Sequence, residues 1–496
     1  ALAAVIAGDG DFIKTGAGAL HVTGGKILAG RAGVQDGTLH ISGAGVSVAG
    51  FGIGAAGILR GSGTIAVGPA GFGNAGAIMI GRAGGGTDFG VISIQGNYAG
   101  AGGQLSLAIG NGAAKKDVLN IDGAVTGSTD IAIIAVEPVA TAASLPASLI
   151  TINGGLAGIT DGMFNIPGAG VTVTDSGYLY DYHPASGQWR ASGVPIPAVP
   201  AVTALDAASL LIGKAAFASL SRRLMASRDN AAPHDLQLWS NGLYRHDKLT
   251  AGIYNGAVNR TAGVQAGADW TCRVNNTDTL LTLGLFYDYA KADMEQRRGV
   301  SSSETEANGA GVYAQIRGGK WHLDGAFRGA GLDYIVSVPG KPDFAATGDS
   351  WAGALGIGCV MTDKSGWNFE PQIQLVYQIN YMDDAVDSQG LVYRVNGAES
   401  LDGRIGFRLW ERFQWKPGRI LTPYARVNLI HEFKGDSEVL VSDDIFAGSL
   451  GGSGFMADAG IAMQLTRALF ANAQASWFYN GKIESYSFNL GISCAW

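Results

Sequence analysis

Trp367-Asn368-Phe369-Glu370-Pro371-Gln372-Ile373-Gln374-Leu375-Val376-Tyr377-Gln378-Ile379 decides the fold. Trp367, Phe369, Pro371, Ile373, Leu375, Tyr377 and Ile379 fall on one face, and Asn368, Glu370, Gln372, Gln374, Val376 and Gln378 on the other. A period of two means a strand with one apolar and one polar side. Ile405, Phe407 and Leu409 alternate in the same way with Arg404, Gly406 and Arg408. At the C-terminus Tyr486, Phe488, Leu490, Ile492, Cys494 and Trp496 alternate with Ser485, Ser487, Asn489, Gly491, Ser493 and Ala495.

A soluble sandwich has such faces too. Two features favour a membrane barrel. Aromatics gather at predicted strand ends, as in Trp321, Trp351, Trp367, Tyr377 and Trp496, which suits interfacial girdles. Connection lengths also alternate. The pattern predicts strands near 236–245, 262–273, 279–291, 305–317, 320–333, 350–361, 367–379, 400–412, 420–433, 454–465, 468–479 and 484–496. The even-numbered connections are tight, such as Gly318-Gly319, Thr362 to Gly366 and Thr466-Arg467, whereas the first, third, fifth, seventh and ninth are expected to be long. Only the last hairpin, Asn480-Gly481-Lys482-Ile483, is short on the long side. Tight turns on one side and long loops on the other imply twelve antiparallel transmembrane strands over 231–496, with both barrel ends on the periplasmic side.

Upstream, residues 194–230 read as linker and helix. Pro195, Pro197 and Pro200 predict a stiff linker. Thr203 is the expected N-cap of a helix over 204–228. Leu210, Phe217 and Leu224 recur at heptad spacing among small alanines, and Arg222, Arg223 and Arg228 crowd the C-terminal end, where the helix dipole favours cations. With Asp206 and Lys214 inside it, this helix is not a lipid-facing span.

Residues 1–100 consist of short alternating units closed by Gly, such as Thr38-Leu39-His40-Ile41-Ser42-Gly43 and Thr64-Ile65-Ala66-Val67-Gly68. Irregular repeats of this kind, without helix signals, predict a right-handed parallel β-helix. Residues 101–193 continue in strands with larger side chains and are expected to cover the open end of the solenoid. Ala1 opens inside what reads as a repeat, so the sequence is expected to be a piece of a longer protein.

Composition agrees. Gly accounts for 77 of 496 residues against 14 Pro, without the period or the proline that collagen needs. A net charge of −7 with no basic run argues against nucleic acid as a partner. Cys272, Cys359 and Cys494 are too scattered for a disulfide framework or a zinc motif, and they fall on the apolar phase of their strands.

The chain resembles the autotransporters of type V secretion. Gly8 to Gly24 resembles the passenger-associated repeat, and Gly103-Gln104-Leu105 through Trp189 resembles the pertactin-like C-terminal passenger region. Trp367 to Gln372, Leu421-Thr422-Pro423-Tyr424-Ala425-Arg426-Val427 and the terminal Trp496, after a helix, resemble the β-domain. The resemblance implies an outer-membrane barrel of a Gram-negative bacterium with its own passenger displayed at the cell surface. It implies a pore helix and a terminal strand (Phe488, Leu490, Ile492, Cys494, Trp496) read by the barrel assembly machinery. Periplasmic chaperones and outer-membrane lipid are the other expected partners of a monomer that has neither catalytic site nor cofactor.

The polar interior is where a mechanism is expected. Asp288, Asp324, Glu370 and Asp458 carry the lumen phase, alongside Arg328, Arg404, Arg408 and Arg426. Either some of these acids pair with Arg222, Arg223 or Arg228 and hold the helix as a plug, or the lumen residues form a network within the wall. Other motifs are weak. Gly52-Ile53-Gly54-Ala55-Ala56-Gly57 lacks a βαβ context. Gly348-Asp349-Ser350 and Gly435-Asp436-Ser437 resemble lipase motifs of some passengers but are expected in extracellular loops. Gly84 to Asp88 reads as a turn rather than half a calcium repeat, and Asp383-Asp384 and Asp443-Asp444 as solvated loop tips. The helix carries no Asn pair for self-cleavage, only Asn230 after Asp229. Two rival functions remain: an adhesin or enzyme whose activity lies upstream of Ala1, and a plain outer-membrane channel.

Overall fold

The computed structural model describes residues 5–81, 88–153, 155–156, 158–167, 170–229, 236–250, 256–274, 277–297 and 301–495. The chain divides into two compact units, Ala1–Ile196 and Pro197–Trp496.

The first unit is a stack of parallel coils. Leu20 faces Leu39, Leu39 faces Leu59, Leu59 faces Ile78, Ile78 faces Leu105, and Leu105 faces Ile131. Leu39, Leu59, Ile78 and Leu105 are fully buried. Burial of each such side chain contributes about 1.5–3 kcal/mol, so one column of aliphatics binds coil to coil. A second column stacks Phe51, Phe72 and Tyr98 at 5.1 and 5.6 Å between ring centroids. The dense glycine has a local cause: at Gly61, with φ +108°, a Cβ would lie 1.9 Å from the Ile41 carbonyl oxygen of the preceding coil. Parallel pairing persists through Val125–Ala135 with Phe164–Asn165. The chain then turns antiparallel, in a sheet of Val171–Thr172, Tyr178–His183 and Gln188–Pro195. Trp189 Nε1 donates to the Pro146 carbonyl at 2.9 Å, and the Leu149 N–H donates to Tyr182 Oη at 2.8 Å. These bonds tie the antiparallel sheet to the last coils.

The second unit is a closed antiparallel barrel of twelve strands around one helix. They are β1 (Leu236–Leu249), β2 (Ala257–Arg273), β3 (Leu280–Gln296), β4 (Ser302–Gly318), β5 (Trp321–Ser337), β6 (Phe344–Cys359), β7 (Asn368–Met382), β8 (Ala398–Trp410), β9 (Arg419–Glu432), β10 (Gly452–Gln464), β11 (Leu469–Tyr479) and β12 (Ile483–Ala495). β1 closes the barrel on β12, from Gln237↔Ala495 to Leu249↔Ile483. Leu283, Leu285, Val312, Leu355, Ile373, Ile405 and Leu429 point outward and exposed, while their strand neighbours point into a buried polar interior. Phe488, Leu490 and Ile492 are likewise exposed on the outer face, with Cys494, whereas Trp496 lies outside the described residues. Cys272 and Cys359 share that outward phase and are half-buried.

Several expectations are corrected. Several strands run farther toward the long-loop side than predicted, β6 starting at Phe344 rather than 350 and β2 at Ala257 rather than 262. The first, third and fifth connections shrink accordingly to 250–256, 297–301 and 338–343. Strand pairing continues past the apolar band on polar residues such as Arg260, Asp293 and Glu304, which carry no outward hydrophobic signal. Trp351 is therefore mid-strand, not terminal, and Gly348-Asp349-Ser350 lies inside β6 rather than in a loop. Asp436-Ser437 does lie in the ninth connection, where it opens a strand of a four-stranded sheet of Ala385–Val386, Val392–Val395, Asp436–Val441 and Asp444–Ser449 built from the seventh and ninth connections.

The helix, α1 (Ala198–Asp229), starts six residues earlier than expected. Pro200 belongs to its first turn, where no N–H is needed, rather than to the linker. Thr203 is therefore not the N-cap: it is inside the helix, its Oγ1 donating to the Val199 and Pro200 carbonyls at 3.0 and 3.1 Å. Although α1 is long and apolar enough to cross a membrane by itself, it is buried inside the barrel.

Candidate functional site

The site is the contact between α1 and the barrel wall, which runs the length of the helix. At the long-loop end, Gln296 Nε2 donates to the Pro200 carbonyl at 2.9 Å, and the Ser209 and Tyr334 hydroxyls lie 3.0 Å apart. Gln378 Nε2 donates to the Ser209 carbonyl at 3.2 Å, across Gly213. A Cβ at Gly213 would lie 2.1 Å from Gln378 Oε1, so this close approach needs glycine. Farther down, Gln265 Nε2 donates to the Ala216 carbonyl at 3.3 Å and Asn241 Nδ2 to Ser219 Oγ at 3.2 Å.

Apolar contacts interleave with these bonds. Phe217 packs on Ala352, Ala354 and Val376, and Leu220 and Leu224 on Trp239, Phe286 and Tyr313. Phe217 and Leu224, two of the three heptad positions in the sequence, thus face apolar islands in an otherwise polar wall. Leu210, the third, is also buried.

Charges fix the helix at three levels. Lys214 Nζ reaches Glu432 at 2.5 Å and Asp402 at 3.3 Å. Arg223 donates to Asp269 at 2.7 Å and to Gln237 at 2.6 Å, with its guanidinium 5.9 Å from the Trp239 ring centre. Tyr313 Oη also donates to Asp269 at 2.7 Å. Arg228 bridges Asp324 at 3.1 Å and Glu370 at 2.9 Å, beside His322 at 2.8 Å. Pairs from helix to wall and pairs within the wall are therefore both present. Asp324 and Glu370 hold the helix. Asp288 and Asp458 serve the wall, Asp288 as a bidentate partner of Arg328 and Asp458 accepting from Arg426 at 2.7 Å. Arg404 is a wall residue too, donating to Asp402 at 3.1 Å. Arg408 lies 3.8 Å from Glu370, between the rings of Trp410 and Tyr424.

Sequence reading missed Asp269, His322, Asp402 and Glu432. Asp402 carried a usable signal, since it shares the lumen phase of β8 with Arg404 and Arg408. Asp269 also sits on the inward phase of its strand, but nothing in the sequence says which cation lies across the lumen from it.

The remaining motifs have placements without chemistry. Gly52 to Gly57 lies within the strand Phe51–Val67, and Ser350 is a buried wall residue receiving a bond from Gln378 at 3.3 Å. Thr347 Oγ1 donates to Asp383, and Asp384 pairs with exposed Arg394 at 3.1 Å. Asn230 and Gly84 to Thr87 lie outside the described residues. Among the described residues no group of three or more His, Cys, Asp or Glu is placed to hold a metal.

The sequence model of the family described as Autotransporter beta-domain matches residues 238–476. Pertactin autotransporters of Bordetella parapertussis and Bordetella bronchiseptica are each 25% identical over 285 residues, covering 56% of this chain and 30% of the relative. The chain thus spans under a third of the length of these curated relatives. Among solved structures, the β-domain of the Bordetella autotransporter BrkA aligns at 20% identity and TM-score 0.44, covering 53% of this chain and all of that one. The transport unit of AIDA-I from Escherichia coli aligns at 18% and 0.44, covering 54% and 92%.

Proposed function

We propose, from the match of residues 238–476 to the Autotransporter beta-domain model, that the outer-membrane barrel exports the chain upstream of it and anchors it at the cell surface. The direction of α1 carries this reading. Its C-terminal Arg228 is held by Asp324 and Glu370 near the tight-turn starts of β5 and β7, and its N-terminal Pro200 is bonded to Gln296 at the long-loop end of β3. The chain therefore threads the lumen from the tight-turn mouth to the long-loop mouth. In an outer membrane these mouths face periplasm and exterior respectively.

The first unit supplies a driving force. Each coil that stacks outside buries another step of the Leu39–Leu59–Ile78–Leu105 column, and a folded solenoid cannot slip back through a lumen that one helix fills. No nucleotide is required in this scheme. In our reading the protein is a monomer without catalytic activity or cofactor. Periplasmic chaperones deliver the unfolded barrel, and the assembly machinery reads the outward row Phe488, Leu490, Ile492, Cys494 and Trp496. The filled lumen argues against a plain channel.

The test is to express two chains behind the same cleavable export signal, one whole and one ending at Ile196, each with an N-terminal tag. Surface labelling of the tag only in the whole chain is expected. Labelling of both would show that export does not need the barrel.

A further inference from the structure

The barrel interior contains a cavity of about 60 Å³ between α1 and the wall of β1 and β8 to β12. Its charged lining is Lys214, Arg222, Arg245, Asp402, Arg404 and Glu432. Three of the four cations have carboxylate partners: Lys214 binds Asp402 and Glu432, Arg404 donates to Asp402 at 3.1 Å, and Arg245 donates to Asp247 at 2.7 Å. Counting Asp247 behind Arg245, four cations meet three carboxylates.

The surplus charge is Arg222. It is 6% exposed, its Nε is buried without a partner, and among the described residues it makes no ion pair. Asp458 exerts the strongest acidic pull on it, but that carboxylate already accepts from Arg426 at 2.7 Å and from Gln474 at 2.9 Å. Arg404 and Arg426 add further positive potential around Arg222. A guanidinium stays charged at any physiological pH and carries five donors. Left buried without an acceptor, it is costly.

We propose that this cavity binds a small inorganic anion such as chloride, held by Arg222 of the helix with Arg245 and Arg404 of the wall. The anion completes the charge balance of the lumen and adds a second tie between α1 and the side of the barrel that Lys214 reaches through Asp402 and Glu432. The space admits an ion with one or two waters, since a single water needs only about 10–15 Å³ of such volume.

The experiment uses the whole chain refolded in a neutral detergent. The temperature at which the compact band converts to the slow-migrating one is read in chloride and in gluconate, which is too bulky to enter, at equal ionic strength. Chloride is expected to raise the midpoint by about 3 °C for each tenfold increase above half-saturation. Arg222→Gln is expected to abolish the difference, and Arg222→Lys, which keeps the charge, to retain it. Crystals soaked in bromide are expected to show an anomalous peak beside Arg222, a test that needs no variant to fold. Identical midpoints in chloride and gluconate with no bromide peak would overturn the proposal. Export would be unaffected by that outcome, because it is read separately from surface labelling.

Discussion

Replacing Arg228 by Gln removes the cation that secures the tight-turn end of the helix. Arg228 is nearly buried and makes two ion pairs, at 3.1 and 2.9 Å. Charge-assisted bonds of this kind contribute about 1.5–3 kcal/mol each, and stranding a buried carboxylate costs about 3–5 kcal/mol. Neither carboxylate is fully stranded here. Glu370 keeps His322 at 2.7 Å and Arg408 at 3.8 Å, and Asp324 keeps Gln315 at 2.7 Å. The net loss is therefore nearer the value of one bond, about 2–3 kcal/mol. At 1.36 kcal/mol per tenfold, this raises the population with the helix end released about 30- to 150-fold. In planar bilayers the whole chain should show rare large openings, and the variant openings more frequent by that order. Arg394→Gln, which removes the exposed pair with Asp384, serves as control and should change nothing. If Arg228→Gln opened no more often than the control, the ion pairs would not hold the plug.

Other perturbations follow the same reasoning. At Gly284 a Cβ would sit 2.1 Å from the Tyr313 ring, whose hydroxyl bonds Asp269; Gly284→Val should cost about 1–3 kcal/mol by overpacking and lower the yield of heat-modifiable barrel. Leu59→Ala, in the fully buried column of the first unit, should cost about 2–5 kcal/mol and shorten the trypsin-resistant fragment of that unit. His40 Nδ1 lies 2.9 Å from His21 Nδ1, and burial, then His21 and Arg60, hold its pKa below the usual imidazole range. A lowered folded-state pKa means that the unfolded chain takes the proton first, so stability is complete above the ordinary His pKa and declines as pH falls through and below it. Proteolysis of the N-terminal coils should accelerate in that acid range, and His40→Leu should flatten the dependence.

The parts of the fold that were legible share one property: a side-chain alternation imposed by two different solvents. All twelve barrel strands were visible because lipid selects residues such as Leu283, Ile373 and Leu490 on alternate positions. Where a strand passes beyond the apolar band that selection ends, and so the outer ends of β2 and β6 read as loop. The helix boundary failed for another reason. Pro200 is a turn former in isolation yet fits a first helical turn equally well, and only the lumen around it settles which. Lumen charges could be assigned to a face but not to partners. Asp288 and Asp324 look alike in sequence, but one meets Arg328 of the wall and the other Arg228 of the helix, because pairing across a barrel depends on register and shear rather than on local pattern.

Protease shaving of intact cells that express the tagged whole chain tests the central claim most directly. Export and display predict that external protease removes residues 1–193 and leaves a protected barrel fragment of about 30 kDa that is still heat-modifiable. An N-terminal segment that survives shaving, and yields only after the outer membrane is permeabilised, would place it in the periplasm and contradict the account.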